Sequence, residues 1–390
     1  MVIEAGSITG PVKNLLRFCE WTQSAEAISS DVSIQPQLAT YSRSHSKSPF
    51  VQAVEASAIP LHLIPESGPL DRSIPSKLRA LASDLQPDLI QTHNVKSNFL
   101  IKASGLYKNY PWISFHHGYT STDFKMLAYN QLDRWSLRSA HRVITVCQAF
   151  APILTAVGVS PQRLRILHNS IGPWQSIPEA ATAKLAHQFG LNQTDKIILT
   201  IGRLSREKGH ADLLEALAVL ARSQPQGWRA VLVGEGPEQS NLEQLAATLG
   251  ISDRIIFAGF HAPVTPWYAL ADIFVLPSHS EGSPNVILEA MSAALPIAAT
   301  NAGGTPEILT HNQTGLLSPV RNPRALAVSL DSLLKDPAFG QQMALRARQS
   351  TLSDFSPQCY RHNLTAIYKE VLSGTPAAWP SGQQTRPPVP

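Results

Sequence analysis

The sequence holds only three cysteines in 390 residues, Cys19, Cys147 and Cys359. They lie far apart with neither metal nor redox spacing, which excludes a disulfide framework and a thiol oxidoreductase, and a reducing compartment is expected. Charge is also scarce, at 15% of the chain against 43% hydrophobic residues, so a large apolar core is available. No apolar run approaches the roughly 20 residues of a bilayer-spanning helix. The N-terminus, MVIEAGSITG, lacks a basic stretch followed by an apolar core, so no secretory leader is expected and the chain reads as cytoplasmic. No basic run is interleaved with aromatics, so nucleic acid is not an expected partner. A full GxGxxG is missing too. Gly234 and Gly236 begin one, but Gln239 stands where the third glycine belongs. That removes the dinucleotide-dehydrogenase reading and leaves a strand-to-helix turn.

What is present points to at least two domains, since a domain usually takes about 100–200 residues. Net charge is +4 and uneven: residues 1–170 carry 16 Lys+Arg against 11 Asp+Glu, the remainder 16 against 17. A basic N-terminal half suits peripheral contact with an anionic membrane face or an anionic acceptor.

The second half alternates between short apolar runs and helical stripes. Strands are expected at 197–201, 230–233, 255–258, 273–276 and 297–299. Between them, Leu213, Leu214, Leu217 and Leu220 form one stripe, and Leu242, Leu245, Ala246 and Leu249 form another ahead of Gly250. Such alternation predicts a parallel sheet covered on both faces. The first half predicts strands at 2–4, 32–34, 51–54, 88–91, 112–115, 143–146 and 165–167. Helices are expected near 11–21, 74–85, 97–106, 124–140 and 148–157, with no assignment for 35–75. The fold class is therefore α/β, with two Rossmann-like doubly wound parallel-sheet domains facing across a cleft. The expected boundaries are 1–170, 171–355, a helix at 356–373 returning to the N-terminal domain, and a disordered tail at 374–390. Ligands of such folds bind at the carboxyl ends of the strands.

Several segments carry chemistry. In EGSPNVILE (281–289), Ser283 suits an N-cap and Pro284 the first helical position. The helix that follows is apolar nearly all round except for Glu289, whose carboxylate needs a polar counterpart. In GRLSREKG (202–209), Arg203, Arg206 and Lys208 crowd a helix N-terminus, where cations are unfavourable unless an anion such as a diphosphate sits among them. Gly10 precedes a helix after the first strand, where backbone approaches a ligand closely. His116 and His117 end a strand. No HExxH or cysteine partner accompanies them, so His117 is expected to point into the cleft rather than to bind a metal.

The set GRLSREKG, LVGEGPEQ, IIFAGF, EGSPNVILEAMSAALPI, GGTPEIL and TGLL, in order over residues 197–335, resembles the retaining GT-B-fold glycosyltransferases of family 4, the group 1 glycosyl transferases. EAGSITGP, PDLIQTHN, SFHHG, VITVCQAF and ILHNSI extend the likeness toward the N-terminus. The resemblance implies a transferase that moves a sugar from a nucleoside-diphosphate-sugar donor, such as UDP-glucose, UDP-N-acetylhexosamine or GDP-mannose, to a hydroxyl of a saccharide or lipid-linked acceptor. It implies no cofactor and no metal. Arg203 and Lys208 would hold the diphosphate, and Glu281 the transferred sugar. The 283–286 backbone (Ser283, Pro284, Asn285, Val286) would support sugar and phosphate, and Glu289 would bind the ribose. Gly10 would lie by the diphosphate and His117 would reach the sugar. Gly259 and Phe260 fall where the base sits. A nucleotide-sugar epimerase on the same fold and a non-catalytic sugar-nucleotide-binding subunit are the alternatives.

Overall fold

The computed structural model describes all residues except 9, 25–31, 44–46, 69–70, 119–123, 193, 225 and 375–390, with the side chains of 124–128 also left aside. The tail expected to be disordered lies outside the described residues apart from Gly374. The chain divides into two compact units. One is Met1–Asn169 together with a segment starting at Pro357; the other is Ser170–Ser356.

In the first unit, β1 (Leu38–Ser42) pairs in parallel with β2 (Leu61–Pro65). A second parallel sheet runs β3 (Ile90–Thr92), β4 (Trp112–His116), β5 (Arg142–Thr145) and β6 (Leu164–Ile166) in that order. The strand expected at 2–4 shrinks to one residue. Val2 bridges both Ala39 and Thr92; its own N–H donates to Gln91 O, and that of Ile3 to Ala39 O. Val2 joins β1 to β3. No strand forms at 32–34. The 51–54 run is helical (Pro49–Ala56) because Ser48 caps it by accepting from Val51 N and Pro49 opens it. β1 and β2 both lie in the stretch left unassigned.

The helix Pro357–Ser373 belongs to this unit. Tyr360, Leu364, Ile367 and Tyr368 pack against Phe18, Ile113, Phe115 and Ile144. Its buried Glu370 accepts hydrogen bonds from Arg142 and Arg165, so the carboxylate is doubly paired.

The second unit holds one six-stranded parallel sheet. Its strands are β7 (Lys196–Ile201), β8 (Trp228–Val233), β9 (Ile255–Gly259), β10 (Ile273–Leu276), β11 (Ile297–Thr300) and β12 (Leu316–Ser318), ordered β9-β8-β7-β10-β11-β12. β12 is an addition to the five strands read from sequence. Alternate residues face opposite sides, as pleating requires. Ile198, Ala230, Leu232, Ile273 and Val275 join one core with Leu213, Leu217 and Leu220. Ile197, Leu199, Val231, Phe274 and Leu276 join the other with Ile287, Leu288 and Met291. Burying each large side chain contributes roughly 1.5–3 kcal/mol.

Candidate functional site

The strand order of the second unit reverses between β7 and β10, and a crevice at the carboxyl ends of the strands opens at such a point. The loops leaving these two strands carry Arg203, Lys208 and Glu281. After β7, the chain passes Arg203 into a single turn, Arg206–Lys208, that ends at Gly209 with φ +64°. A Cβ at Gly209 would sit 2.1 Å from Pro277 O in the loop after β10, so glycine is required both for the backbone angle and for the approach. Gly303, after β11, has φ +53° and would place a Cβ 1.9 Å from Glu281 O. His279 N also donates to Glu207 O at 2.8 Å. Three loops are thereby clamped around one carboxylate.

That carboxylate is Glu281, buried, with Lys208 Nζ at 2.7 Å and Ser278 Oγ at 2.6 Å, both on Oε1. The three cations of the β7 loop separate in role. Arg206 is 88% exposed and pairs with Glu238. Lys208 pairs with Glu281. Arg203 is exposed and makes no ion pair among the described residues. Glu207 takes a hydrogen bond from Ser205 Oγ at 2.6 Å. Burial pushes its pKa up, but the Ser205 bond, its own backbone, Lys208 and Arg203 together bring it below the ordinary value. The turn after β8 closes over this loop: Leu204 N donates to Glu235 O at 3.0 Å, and a Cβ at Gly236 would lie 2.2 Å from Leu204 O. The paired glycines thus have a packing role.

Next to Glu281 begins the helix Asn285–Ser292. Its N-cap is Pro284, with extended backbone, rather than the expected Ser283, which lies one residue outside and is buried. Pro284 has no side-chain oxygen to offer, so the N-cap residue itself makes no side-chain cap bond. Asn285 and Val286 form its first turn. One turn on, Glu289 is half-buried, and Tyr268 Oη donates to its Oε2 at 2.8 Å. Tyr268 itself is buried, and desolvation followed by the Glu289 charge holds its pKa well above the usual phenol range. The sequence called for a polar counterpart to Glu289 without pointing to this tyrosine. Gly259, at φ +75°, ends β9 and accepts at its carbonyl from Gly234 N at 2.8 Å. Phe260 follows it, 71% exposed.

Two further residues of interest lie in the first unit. Gly10 opens the helix Gly10–Trp21. His117 follows β4, its ring stacked on Phe115 at 5.9 Å and on His93 at 6.0 Å. Both of its ring nitrogens are shielded from water and have no hydrogen-bond partner among the described residues. Burial, then the neighbouring His116, lowers its pKa to about 3, so the ring is neutral at ordinary pH. His93, with an unpartnered Nδ1, was missed from sequence. His116 stands 3.7 Å from the buried Asp133, and no group of three or more metal-ligating side chains occurs among the described residues.

The two parallel-sheet α/β units are those of a GT-B glycosyltransferase. The model for group 1 glycosyl transferases matches residues 182–350, and that for glycosyltransferase family 4 matches residues 33–173. An uncharacterized glycosyltransferase of Haemophilus influenzae is 30% identical over 284 residues, which is 71% of this chain and 75% of that protein. The N-acetyl-alpha-D-glucosaminyl L-malate synthase of Bacillus anthracis is 32% identical over 189 residues, 48% of this chain and 49% of the synthase, so the match spans about half of that relative. Anabaena HepE, solved in complex with UDP-glucose, has the same fold, with a TM-score of 0.79 at 21% identity over 95% of this chain and 99% of HepE. The chain belongs to the group 1 glycosyltransferases. Among the described residues no helix is long and apolar enough to cross a membrane.

Proposed function

We propose that this enzyme takes a nucleoside-diphosphate-sugar as donor and transfers the sugar, with retention at C1, to a hydroxyl of a saccharide or lipid-linked acceptor in polysaccharide, glycolipid or cell-envelope synthesis. The observation that carries this reading is the Lys208–Glu281 pair at the reversal of strand order, beside the N-terminus of the helix Asn285–Ser292 and the exposed Arg203. An anion is favoured at a helix N-terminus. HepE, which has the same fold, binds UDP-glucose, and this supports the reading.

The chemistry follows from charge. Breaking the bond between sugar C1 and phosphate leaves negative charge on the diphosphate while the sugar becomes oxocarbenium-like. Arg203, Lys208 and the N–H groups at 285–286 stabilise that charge, a fixed electrostatic contribution that usually dominates such sites. Glu281 is held by Lys208 and Ser278, so it positions the sugar and does not serve as a nucleophile. The acceptor hydroxyl attacks on the face the phosphate leaves, and the phosphate takes its proton. Glu289, oriented by Tyr268, receives the ribose hydroxyls. Gly259 and Phe260 border the base. Gly10 and His117 keep the roles implied by the resemblance, at diphosphate and sugar; a neutral His117 can donate to or accept from a sugar hydroxyl. No cofactor or metal takes part on this reading.

A donor panel tests it. Thermal shift identifies the nucleotide sugar that binds, and the product's anomeric configuration is read by NMR, with and without chelator. Retention with an unchanged rate in chelator is expected. Inversion, or no stabilisation by any UDP- or GDP-sugar, overturns the reading.

A further inference from the structure

Residues 101–170 contain eight lysines and arginines but only two acidic residues, Asp123 and Asp133. Asp133 is buried and accepts from Asn98 Nδ2 at 2.6 Å, so it does not neutralise the surface. Arg142 and Arg165 turn inward to Glu370. Lys102, Arg138 and Arg163 pair with no carboxylate among the described residues; each reaches only a backbone carbonyl. Lys102 Nζ donates to Trp135 O at 2.6 Å, Arg138 Nε to Val157 O at 2.6 Å, and Arg163 Nη1 to Arg138 O at 3.2 Å. Arg163 and Arg138 are thereby linked, and Lys102 reaches the chain three residues before Arg138.

Beside these cations two large apolar side chains are exposed. Trp135 is 46% exposed and Leu132, one turn earlier on the helix Phe124–Leu137, is 41% exposed. The Lys102 ammonium sits 3.7 Å from the Trp135 ring centre, and Phe99 backs the same ring at 6.1 Å. Cations at helix C-termini suit the dipole, which accounts for Lys102 and Arg138 but gives no reason for a tryptophan and a leucine facing water. The mixture of exposed indole, leucine and unneutralised cations is the one that anchors proteins at the headgroup level of a bilayer. Burial, followed by the Arg138 charge, also lowers the Lys102 pKa, so these cations gain from an added anion. A second copy of this chain fits poorly. A symmetric contact through this face would set like charge against like.

We propose that this face of the first unit docks on an anionic lipid surface, with Trp135 and Leu132 at headgroup depth and Lys102, Arg138 and Arg163 against lipid phosphates. The position agrees with an open active edge. These residues lie at helix C-termini and at the start of β6, which is the edge where strands begin. His93 and His117 lie at the opposite edge, where strands end. The proposal is independent of the donor assignment.

Co-sedimentation of the full chain with vesicles provides the test. Phosphatidylcholine vesicles containing phosphatidylglycerol should bind it, pure phosphatidylcholine should not, and binding should weaken with salt. The Lys102→Gln/Arg138→Gln/Arg163→Gln variant should lose roughly fivefold per removed cation, about a hundredfold in all. Trp135→Ser, which removes no side-chain hydrogen bond, provides a second variant with a loss of about tenfold if the triple variant fails to fold. Release of nucleoside diphosphate from a soluble acceptor reaction should be unchanged in both. Equal binding to neutral vesicles, no vesicle binding, binding unaffected by Trp135→Ser, or self-association through this face in place of lipid binding would each overturn the proposal.

Discussion

Replacing Lys208 with alanine probes two tasks of one ammonium group, the ion pair it makes and the catalytic role we propose for it. The structural task is pairing. Glu281 is buried, and loss of Lys208 leaves Ser278 Oγ as the partner of its Oε1. Stranding one member of a buried pair costs about 3–5 kcal/mol. The Lys208 side chain is 28% exposed, so water partly replaces it, and about 2 kcal/mol is the better figure. For a domain of this size that corresponds to a fall in Tm of about 4–8 °C. The catalytic task, on the function proposed above, is stabilisation of the departing diphosphate, and loss of one such group should lower kcat by about 10²–10³. The double variant Lys208→Ala/Glu281→Gln distinguishes them. The neutral amide no longer needs a cation, so stability should recover while turnover stays low. Thermal melting gives the first quantity and nucleoside diphosphate release, measured well below the melt, gives the second. Near-normal turnover in Lys208→Ala, or recovery of turnover in the double variant, would refute the assignment.

Other expectations follow from the same geometry. Gly303→Ala should destabilise the fold by about 1–3 kcal/mol through φ strain and the clash with Glu281 O, and should lower turnover; a variant melting with the wild type contradicts the clamp. Tyr268→Phe removes the hydroxyl on Glu289 and should cost about 1 kcal/mol of stability. It should raise the donor KM more than it changes kcat, and an unchanged KM contradicts the ribose role. His210 is buried, and burial followed by Lys208 lowers its pKa to about 4. His117 behaves likewise, at about 3. The unfolded chain takes up these protons near the ordinary value of 6.5, so it holds more protons than the fold between about 6.5 and 4. Stability should therefore fall as pH drops through that window. His210→Asn should flatten the dependence of Tm on pH; a Tm independent of pH from 7 to 4.5 contradicts it.

Some of this architecture was legible in the sequence because buried parallel strands are short, apolar and evenly spaced. β7, β8 and β10 show that pattern, and so do the leucine stripes between them. The first unit was less legible for local reasons. Val51 and Val54 look like strand residues until Ser48 and Pro49 are recognised as a helix start. The first strand is a single bridge at Val2, too short to leave a period. Of the candidate site, the pairing residues Lys208 and Glu281 were legible because their charge stood out against its surroundings. It was illegible where partners are distant in sequence: Tyr268 is 21 residues from Glu289, and Asp212 meets His279 across 67. Ser278 was hidden for a different reason, since a serine three residues before a glutamate is commonplace. Glycines 209 and 303 looked like ordinary turns, and only the facing carbonyls of Pro277 and Glu281 show why a side chain cannot stand there.

The most direct measurement compares the binding of nucleoside and nucleoside diphosphate by calorimetry, in the wild type and in Arg203→Ala/Lys208→Ala. With uridine and UDP, or guanosine and GDP, the diphosphate should tighten binding to the wild type by at least tenfold, and the double variant should lose most of that difference while binding the nucleoside as before. Equal affinity for nucleoside and diphosphate in the wild type, or a difference that survives removal of both cations, would contradict the claim that these side chains grip the leaving group.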